Sequence, residues 1–320
     1  MSISYNHYIT SEDLDTGYLD CLQSRIIKPQ YRFTGKAQAQ SWVDIWDDAN
    51  SPYFNNLYTF INQIKEDITK HIKTDVNFIA LGGSNGVKNK PILEELLKKR
   101  KTTFSIIASS KDLMNHSLEK ISDINIPKEV FISHFKSKNL KLLSRQIKEN
   151  HHDTNFFVML SNTFGLHPQE TISKSLRDAM NKNDYLLIEA HIAPDKIDPN
   201  YIEAMLNNYK NSSFKKHVLL SLSQINITED DGFLELEYSN DKFFTDLSVV
   251  SYYFRFKKSK VVKYLNEEIY FAKNERILLF SSNKYKVKVL RRILNDHGFD
   301  IKEEFINHEL GCAEILCQLA

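Results

Sequence analysis

A mostly parallel α/β sheet with an inserted smaller α+β region is the architecture the sequence predicts, on three observations. The apolar run Val76–Leu81 leads into the glycines Gly82, Gly83 and Gly86, and Pro91–Leu97 then carries leucines at helical spacing. From 76 to 192 apolar runs alternate with helical stretches, the order of a sheet covered on both faces. Past Asp195 the pattern changes to period two, before the last residues return to helix and paired strands.

Taken in order, Ser11–Leu14 looks like a helix start, and Tyr31–Gly35 reads as extended or turning. Trp42–Trp46 reads as a helix with an aromatic face, and Ser51-Pro52 opens a helix from Leu57 to Ile72. Buried strands are expected at Val76–Leu81, Phe104–Ala108, Val130–Ile132, Phe156–Leu160 and Tyr185–Ile188. Helices between them fall at Ile92–Arg100, Leu113–Ile121, Leu140–Lys148 and Pro168–Met180. Such a sheet places its ligand crevice at the C-terminal strand ends, where the glycines let a ligand approach the backbone. Tyr201–Tyr209 and Ser213–Ser221 look helical, and strands half-exposed to solvent follow from Gly232 to Phe280. Val287–His297 is an amphipathic helix stopped by Gly298, and Ile301–Phe305 with Ala313–Leu316 makes a final antiparallel pair.

Composition narrows the function. With 320 residues and 42% hydrophobic content, two domains and a sizeable core are expected. A formal net charge of +1 does not call for nucleic acid, and the clusters Lys98–Lys101 and Arg255–Lys258 read as helix ends or solvated strand faces. Three cysteines (Cys21, Cys312, Cys317) have no ligand spacing, Cys312 and Cys317 read as buried thiols, and a reducing compartment is expected. No leader is read at the N-terminus, and no apolar run reaches the ~18 residues of a membrane span, so a cytoplasmic protein is expected. His151-His152 reads as a solvated loop, no metal site is expected, and His191 is a candidate base or substrate contact at the crevice rim, with a structural hydrogen bond as the commoner reading.

Strand, glycine turn, five parallel strands, an excursion, then helix and hairpin is the order of a class I S-adenosylmethionine-dependent methyltransferase with an insertion. Within that fold the chain resembles the histidine-specific Nα-methyltransferases of ergothioneine biosynthesis, from about Tyr31 to the C-terminus. Leu81–Lys88 is similar to that family's cofactor loop, Phe156–Pro168 to its strand, turn and helix, and Asn274–Tyr285 to the segment closing its substrate pocket. The resemblance implies a Rossmann-like cofactor domain over 60–197 plus 286–320, and a substrate-binding cover over 1–59 plus 198–285. S-adenosyl-L-methionine is the implied cofactor, with Gly82, Gly83, Ser84, Lys88, Ala108, Ser109, Ser110, His134 and Phe135 around it. Tyr53, Phe54, Leu166, Met205, Phe280 and Ser282 are the implied substrate contacts, and no catalytic residue is singled out.

Departures from the family pattern bear on function. The acid that grips the cofactor's ribose is replaced by Ala108, the acid before the glycine loop by Ala80, and the aspartate beside adenine by His134. Each charge-assisted bond of this kind contributes roughly 1.5–3 kcal/mol, so losing the ribose contact weakens binding about ten- to hundredfold. The family's pocket asparagine, tyrosine and glutamate fall at Leu166, near Met205 and at Phe280, which leaves a free histidine's polar groups unpaired. The expectation is methyl transfer to an amine of an amino acid or related small metabolite other than free histidine. The alternative is a degenerate methyltransferase fold serving as a binding or partner subunit, with Tyr252, Tyr253, Phe254 and Phe256 as an interface, although a sheet core is the plainer account of those four. Use of the cofactor's aminocarboxypropyl group, or of another nucleotide, is a third reading.

Overall fold

The strand Val76–Leu81 shows how the main sheet is built, because it is buried throughout. Phe78 and Ala80 enter one core and Ile79 and Leu81 the other, so period two in the chain becomes two packed faces. The structure, a computed structural model, describes residues 3–46, 52–83, 86–240 and 246–320, and of residues 52–54 the backbone alone.

In chain order the sheet takes β1 (Ser4–His7), β2 (Val76–Leu81), β3 (Thr102–Ala108), β4 (Lys128–Ile132), β5 (Asn155–Met159) and β6 (Tyr185–His191). After the insertion it takes β12 (Phe299–Asn307) and β13 (Cys312–Leu319). The spatial order is β1-β4-β3-β2-β5-β6-β13-β12, with β1 to β6 parallel and β13 antiparallel to both neighbours. Apart from the short added edge β1, this is the class I methyltransferase order that the sequence predicts. Chain direction across the sheet reverses at β2, which has β3 on one side and β5 on the other. In open parallel sheets that point opens a crevice beyond the strand ends.

Helices α4 (Pro52–Thr69), α5 (Asn89–Leu97) and α6 (Lys111–Lys120) cover the first face. Ile61, Ile68, Ile92, Leu96 and Met114 pack there on Phe78, Phe104 and Phe156. Helices α7 (Ser137–Asn150), α8 (Gln169–Ala179) and α11 (Val287–Asp296) cover the other. Leu140, Leu143, Ile172, Leu176, Leu290 and Ile293 meet Ile107, Phe157 and Met159, three- and four-residue spacings that put one stripe of each helix on the sheet.

A third core joins the remaining elements. It takes α1 (Ser11–Ser24), α2 (Pro29–Phe33), α3 (Lys36–Trp46), α9 (Pro199–Tyr209) and α10 (Ser212–Leu220). The antiparallel sheet β7 (Gly232–Asn240), β8 (Leu247–Phe256), β11 (Arg276–Tyr285) and the hairpin β9 (Lys260–Tyr264), β10 (Glu267–Phe271) complete it. Three expectations are corrected. Tyr31–Phe33 belong to a helical turn, for which Pro29 at the first helical position fixes φ, and only Thr34 is extended and Gly35 turns as expected. β1 went unread because its four polar residues carry no apolar alternation. Tyr252, Phe254 and Phe256 are buried in this third core, and Tyr253 lies under the Arg276 guanidinium at 3.7 Å, so they do not form an exposed interface.

Candidate active site

Gly82 leaves β2 at φ +96°, a conformation a side chain resists. Gly86, at φ +75°, lies so close to α6 that a Cβ would meet the Ser117 carbonyl oxygen at 2.6 Å. The glycine bend is therefore pressed between α6 and the turn after β5. Beside it opens a first cavity of about 660 Å³, lined by Gly82, Gly83, Ala108, Ser109, Ser110, His134 and Phe135. Gln30, Phe33 and Trp42 close it from the N-terminal helices, and Ser161, Thr163, Leu166 and His167 from the β5 turn. Its walls contain no carboxylate among the described residues. Burial lowers both histidines, His167 to about 4, so they face the cavity neutral. The buried Nδ1 of His134 has no hydrogen-bond partner. Ser110 is engaged, its hydroxyl accepting from Leu113 N–H at 3.3 Å to cap α6.

The turn after β5 is the hinge of the site. Ser161 and Asn162 sit at φ +59° and +51°, conformations costing roughly 1 kcal/mol or more for residues other than glycine. This twist puts Ser161, whose buried hydroxyl has no partner, in the wall shared by two cavities, together with Trp42 and Leu166. It also turns Asn162 toward the second cavity, where Nδ2 donates to Ser282 Oγ at 3.0 Å and Oδ1 accepts from His191 N–H at 2.9 Å.

The second cavity has about 1060 Å³ of empty space, part of it open to solvent. Trp42, Trp46, Leu57, Met205, Phe214 and Phe280 give it apolar walls, and Asn162, Glu189, His191, Tyr209 and Ser282 a polar floor. Two buried charge clusters stand behind that floor. Lys88, fully buried, pairs with Glu189, and Glu314 lies opposite Glu189 in the register of β13 on β6. Burial and then the Glu189 charge raise Glu314 well above the usual carboxyl range, so one ammonium and one proton serve two carboxyls. Lys284, also fully buried, donates to Tyr209 Oη at 2.7 Å and Ser282 Oγ at 2.8 Å, and meets His191 Nδ1 at 2.9 Å. Burial lowers Lys284, and burial with Lys284 beside it holds His191 well below the usual imidazole value.

A sequence profile of histidine-specific, S-adenosylmethionine-dependent methyltransferases matches residues 58–319. The chain belongs to that family. No curated protein matches the sequence. Among solved structures the chain is similar to the CcbJ methyltransferase from Streptomyces caelestis, at 10% identity and TM-score 0.41 over 82% of this chain and 89% of that one. It is similar to the mitomycin 7-O-methyltransferase MmcR at 9% identity and TM-score 0.44 over 97% and 69%. OxaC in complex with SAH and oxaline matches at 12% identity and TM-score 0.43 over 82% and 47%. At such distances these likenesses carry no argument about the site.

The cofactor of this methyltransferase is S-adenosylmethionine, and the first cavity fits a nucleoside. Side-chain-free glycines, the partnerless His134 Nδ1 and the neutral groups of Gln30 and Ser109 are what it offers. Ala108 does stand at the end of β3 in its wall, and the described residues supply no acid in its place. Of the substrate contacts implied by sequence, Leu166, Met205, Phe280 and Ser282 come together in the second cavity. Lys88 does not join the cofactor residues, because its ammonium is buried on Glu189 behind the other cavity. Ser84 and the side chains of Tyr53 and Phe54 lie outside the described residues.

Beside Leu166, Met205 and Phe280, the apolar residues that the sequence puts at the family's polar positions, the second cavity has polar residues. Asn162, Tyr209 and Glu189 line the same walls from neighbouring positions, with the Glu189 carboxylate buried on Lys88. Tyr209 follows Met205 by one helical turn on α9, so the helical period was the available signal. Ser282 and Lys284 follow Phe280 at strand period on β11, and all three belong to one side of it.

Proposed function

We propose that this methyltransferase acts on an amine of an amino acid or related small metabolite other than free histidine, bound in the second cavity. The observation that supports the reading is that Glu189 is the one acid among the described residues lining the second cavity. The bound cofactor supplies a methyl group on a positively charged sulfur. Methyl transfer from sulfonium needs alignment and dryness more than acid–base help. Trp42, Ser161 and Leu166, shared by the two cavities, define where donor and acceptor adjoin. Trp46, Phe214 and Phe280 exclude water around the acceptor. Buried Lys284, which has no carboxylate partner among the described residues, disfavours an ammonium beside it and so leaves the amine its lone pair. Against free histidine, β11 presents Phe280 and, behind Ser282, a buried ammonium, where an imidazole N–H requires an acceptor.

The experiment is incubation with methyl-labelled S-adenosylmethionine and a panel of amino acids and their amines, read by mass spectrometry. The reading expects a product carrying the label on nitrogen, with free histidine among the poor acceptors. Label on oxygen or carbon, or histidine as the best acceptor, contradicts it. The partner-subunit alternative keeps one supporting observation, the first cavity's lack of a carboxylate. It has lost its proposed aromatic interface to the third core.

A further inference from the structure

Where the two cavities adjoin, three side chains form the common wall: Trp42, Ser161 and Leu166. An indole N–H only donates and a leucine side chain does neither. Among the described residues, the Ser161 hydroxyl is therefore the one side-chain group of that wall able to accept a hydrogen bond. Its oxygen is buried and has no partner. Buried hydroxyls are ordinarily satisfied, as Thr163 in the same turn is by the Leu160 carbonyl at 2.7 Å.

The backbone holds Ser161 at this place against its preference. A φ of +59° lies in the left-handed region, which serine rarely adopts, and Asn162 follows at +51°. The surroundings over-determine the turn. The Asn162 amide is tied to Ser282 and to the His191 N–H, and its carbonyl accepts from Gly165 N–H at 2.9 Å. Gly165 leaves room for that amide, since a Cβ there would stand 2.5 Å from Asn162 Oδ1. Strain fixed so firmly, with an unsatisfied polar group at the meeting point of two cavities, marks a ligand contact. Ser161 is only half-buried as a residue, and no hydrogen bond fixes its χ1, so its oxygen can turn to a ligand in the junction.

We propose that Ser161 is a catalytic residue whose Oγ lies beside the methyl group in transit. The oxygen accepts from the methyl C–H bonds, which the positive sulfur polarises, and from the N–H of the incoming amine. It thereby holds the methyl carbon on the line from sulfur to nitrogen. The hydroxyl takes no part in the bond changes and keeps its proton throughout. This inference rests on the reading of the first cavity as the donor site and the second as the acceptor site. It adds the group that aligns the two.

The test needs no acceptor. Sinefungin is a cofactor analogue that carries a primary amine where the sulfonium carries its methyl, and S-adenosylhomocysteine has no group at that place. Each is titrated by calorimetry into the parent, Ser161→Ala and Ser161→Gly. Alanine removes the oxygen alone, and glycine suits φ +59°, so the fold is kept. Both variants are expected to bind sinefungin about tenfold or more weakly than the parent, the loss of one hydrogen bond to an ammonium. S-adenosylhomocysteine affinity stays within about twofold. Neither variant removes a hydrogen bond of the folded chain, so urea midpoints equal the parent's or exceed it. Affinities for both ligands that fall together, or a lowered midpoint, would show a structural role and overturn the proposal. Sinefungin bound equally by all three proteins, or not bound by the parent at about millimolar concentration, overturns it too. S-adenosylhomocysteine is titrated first. Its failure to bind refutes the cofactor site and this inference with it, while its binding without the sinefungin effect refutes this inference only.

Discussion

Replacing Glu314 by Gln and replacing Lys88 by Met should have very different consequences, although both side chains are fully buried in one cluster. Glu314 is held protonated by burial and by Glu189 across the strand pair, so a neutral amide of the same shape alters no charge. Glu314→Gln is therefore expected within about 1 kcal/mol of the parent. Lys88→Met removes the cation from the Glu189 carboxylate and leaves that charge unpaired, a loss of roughly 3–5 kcal/mol. Set against a whole-domain stability of about 5–15 kcal/mol, that difference is large. Glu189→Gln alone strands Lys88 and costs a similar amount. The double variant Lys88→Met, Glu189→Gln replaces an ion pair by neutral groups and recovers most of the loss, giving a coupling of about 3 kcal/mol or more. The assay is urea unfolding at pH 7 with midpoint and slope compared across the four proteins. A Glu314→Gln loss as large as that of Lys88→Met, or strict additivity in the double variant, would refute the shared-proton arrangement.

Gly86→Ala forces a Cβ to within 2.6 Å of the Ser117 carbonyl at φ +75°, and about 2 kcal/mol or more of stability should be lost in urea unfolding. Ala108→Asp, facing the first cavity at the end of β3, should raise S-adenosylhomocysteine affinity about tenfold or more in calorimetry by supplying a carboxylate for the ribose. His217 is fully buried, and burial followed by the Arg32 charge pushes it down to about 3. The unfolded chain therefore binds a proton below about pH 6.5 that the folded chain refuses, and stability falls as pH drops through that value toward 3. Between pH 7 and pH 5 this one group contributes a loss of about 2 kcal/mol. His217→Phe, set among the rings of Phe33, Trp42 and Phe214, should reduce the pH dependence of the urea midpoint accordingly.

The sheet was legible because its strands are buried on both faces. Val76–Leu81 and Phe156–Met159 have almost no polar residue to disguise them, and the helices between carry clear stripes. The short edge strand β1 and the hairpin strand β9 were not legible, since their burial depends on a single neighbour rather than on their own pattern. In the first cavity, the glycines, Ala108 and His134 could be read because one βα turn and two strand ends follow each other at fixed spacing. Of the polar floor of the second cavity, His191 and Ser282 are read from the sequence, and Asn162, Glu189 and Tyr209 are not, for a physical reason. Reading Tyr185–Ile188 as a strand stops one residue short of Glu189, and nothing near it in the chain points to its partner Lys88. Lys284 sat in a strand with no hint that its partners would be hydroxyls and an imidazole rather than water.

Calorimetric titration of S-adenosylhomocysteine into the purified protein tests most directly whether the glycine bend beside Ala108 holds a nucleoside. One site per chain is predicted, with micromolar affinity, lost in Gly83→Leu, where a side chain would run into Leu113 of α6. Absence of heat up to about millimolar ligand, or unchanged binding in that variant, would contradict the account.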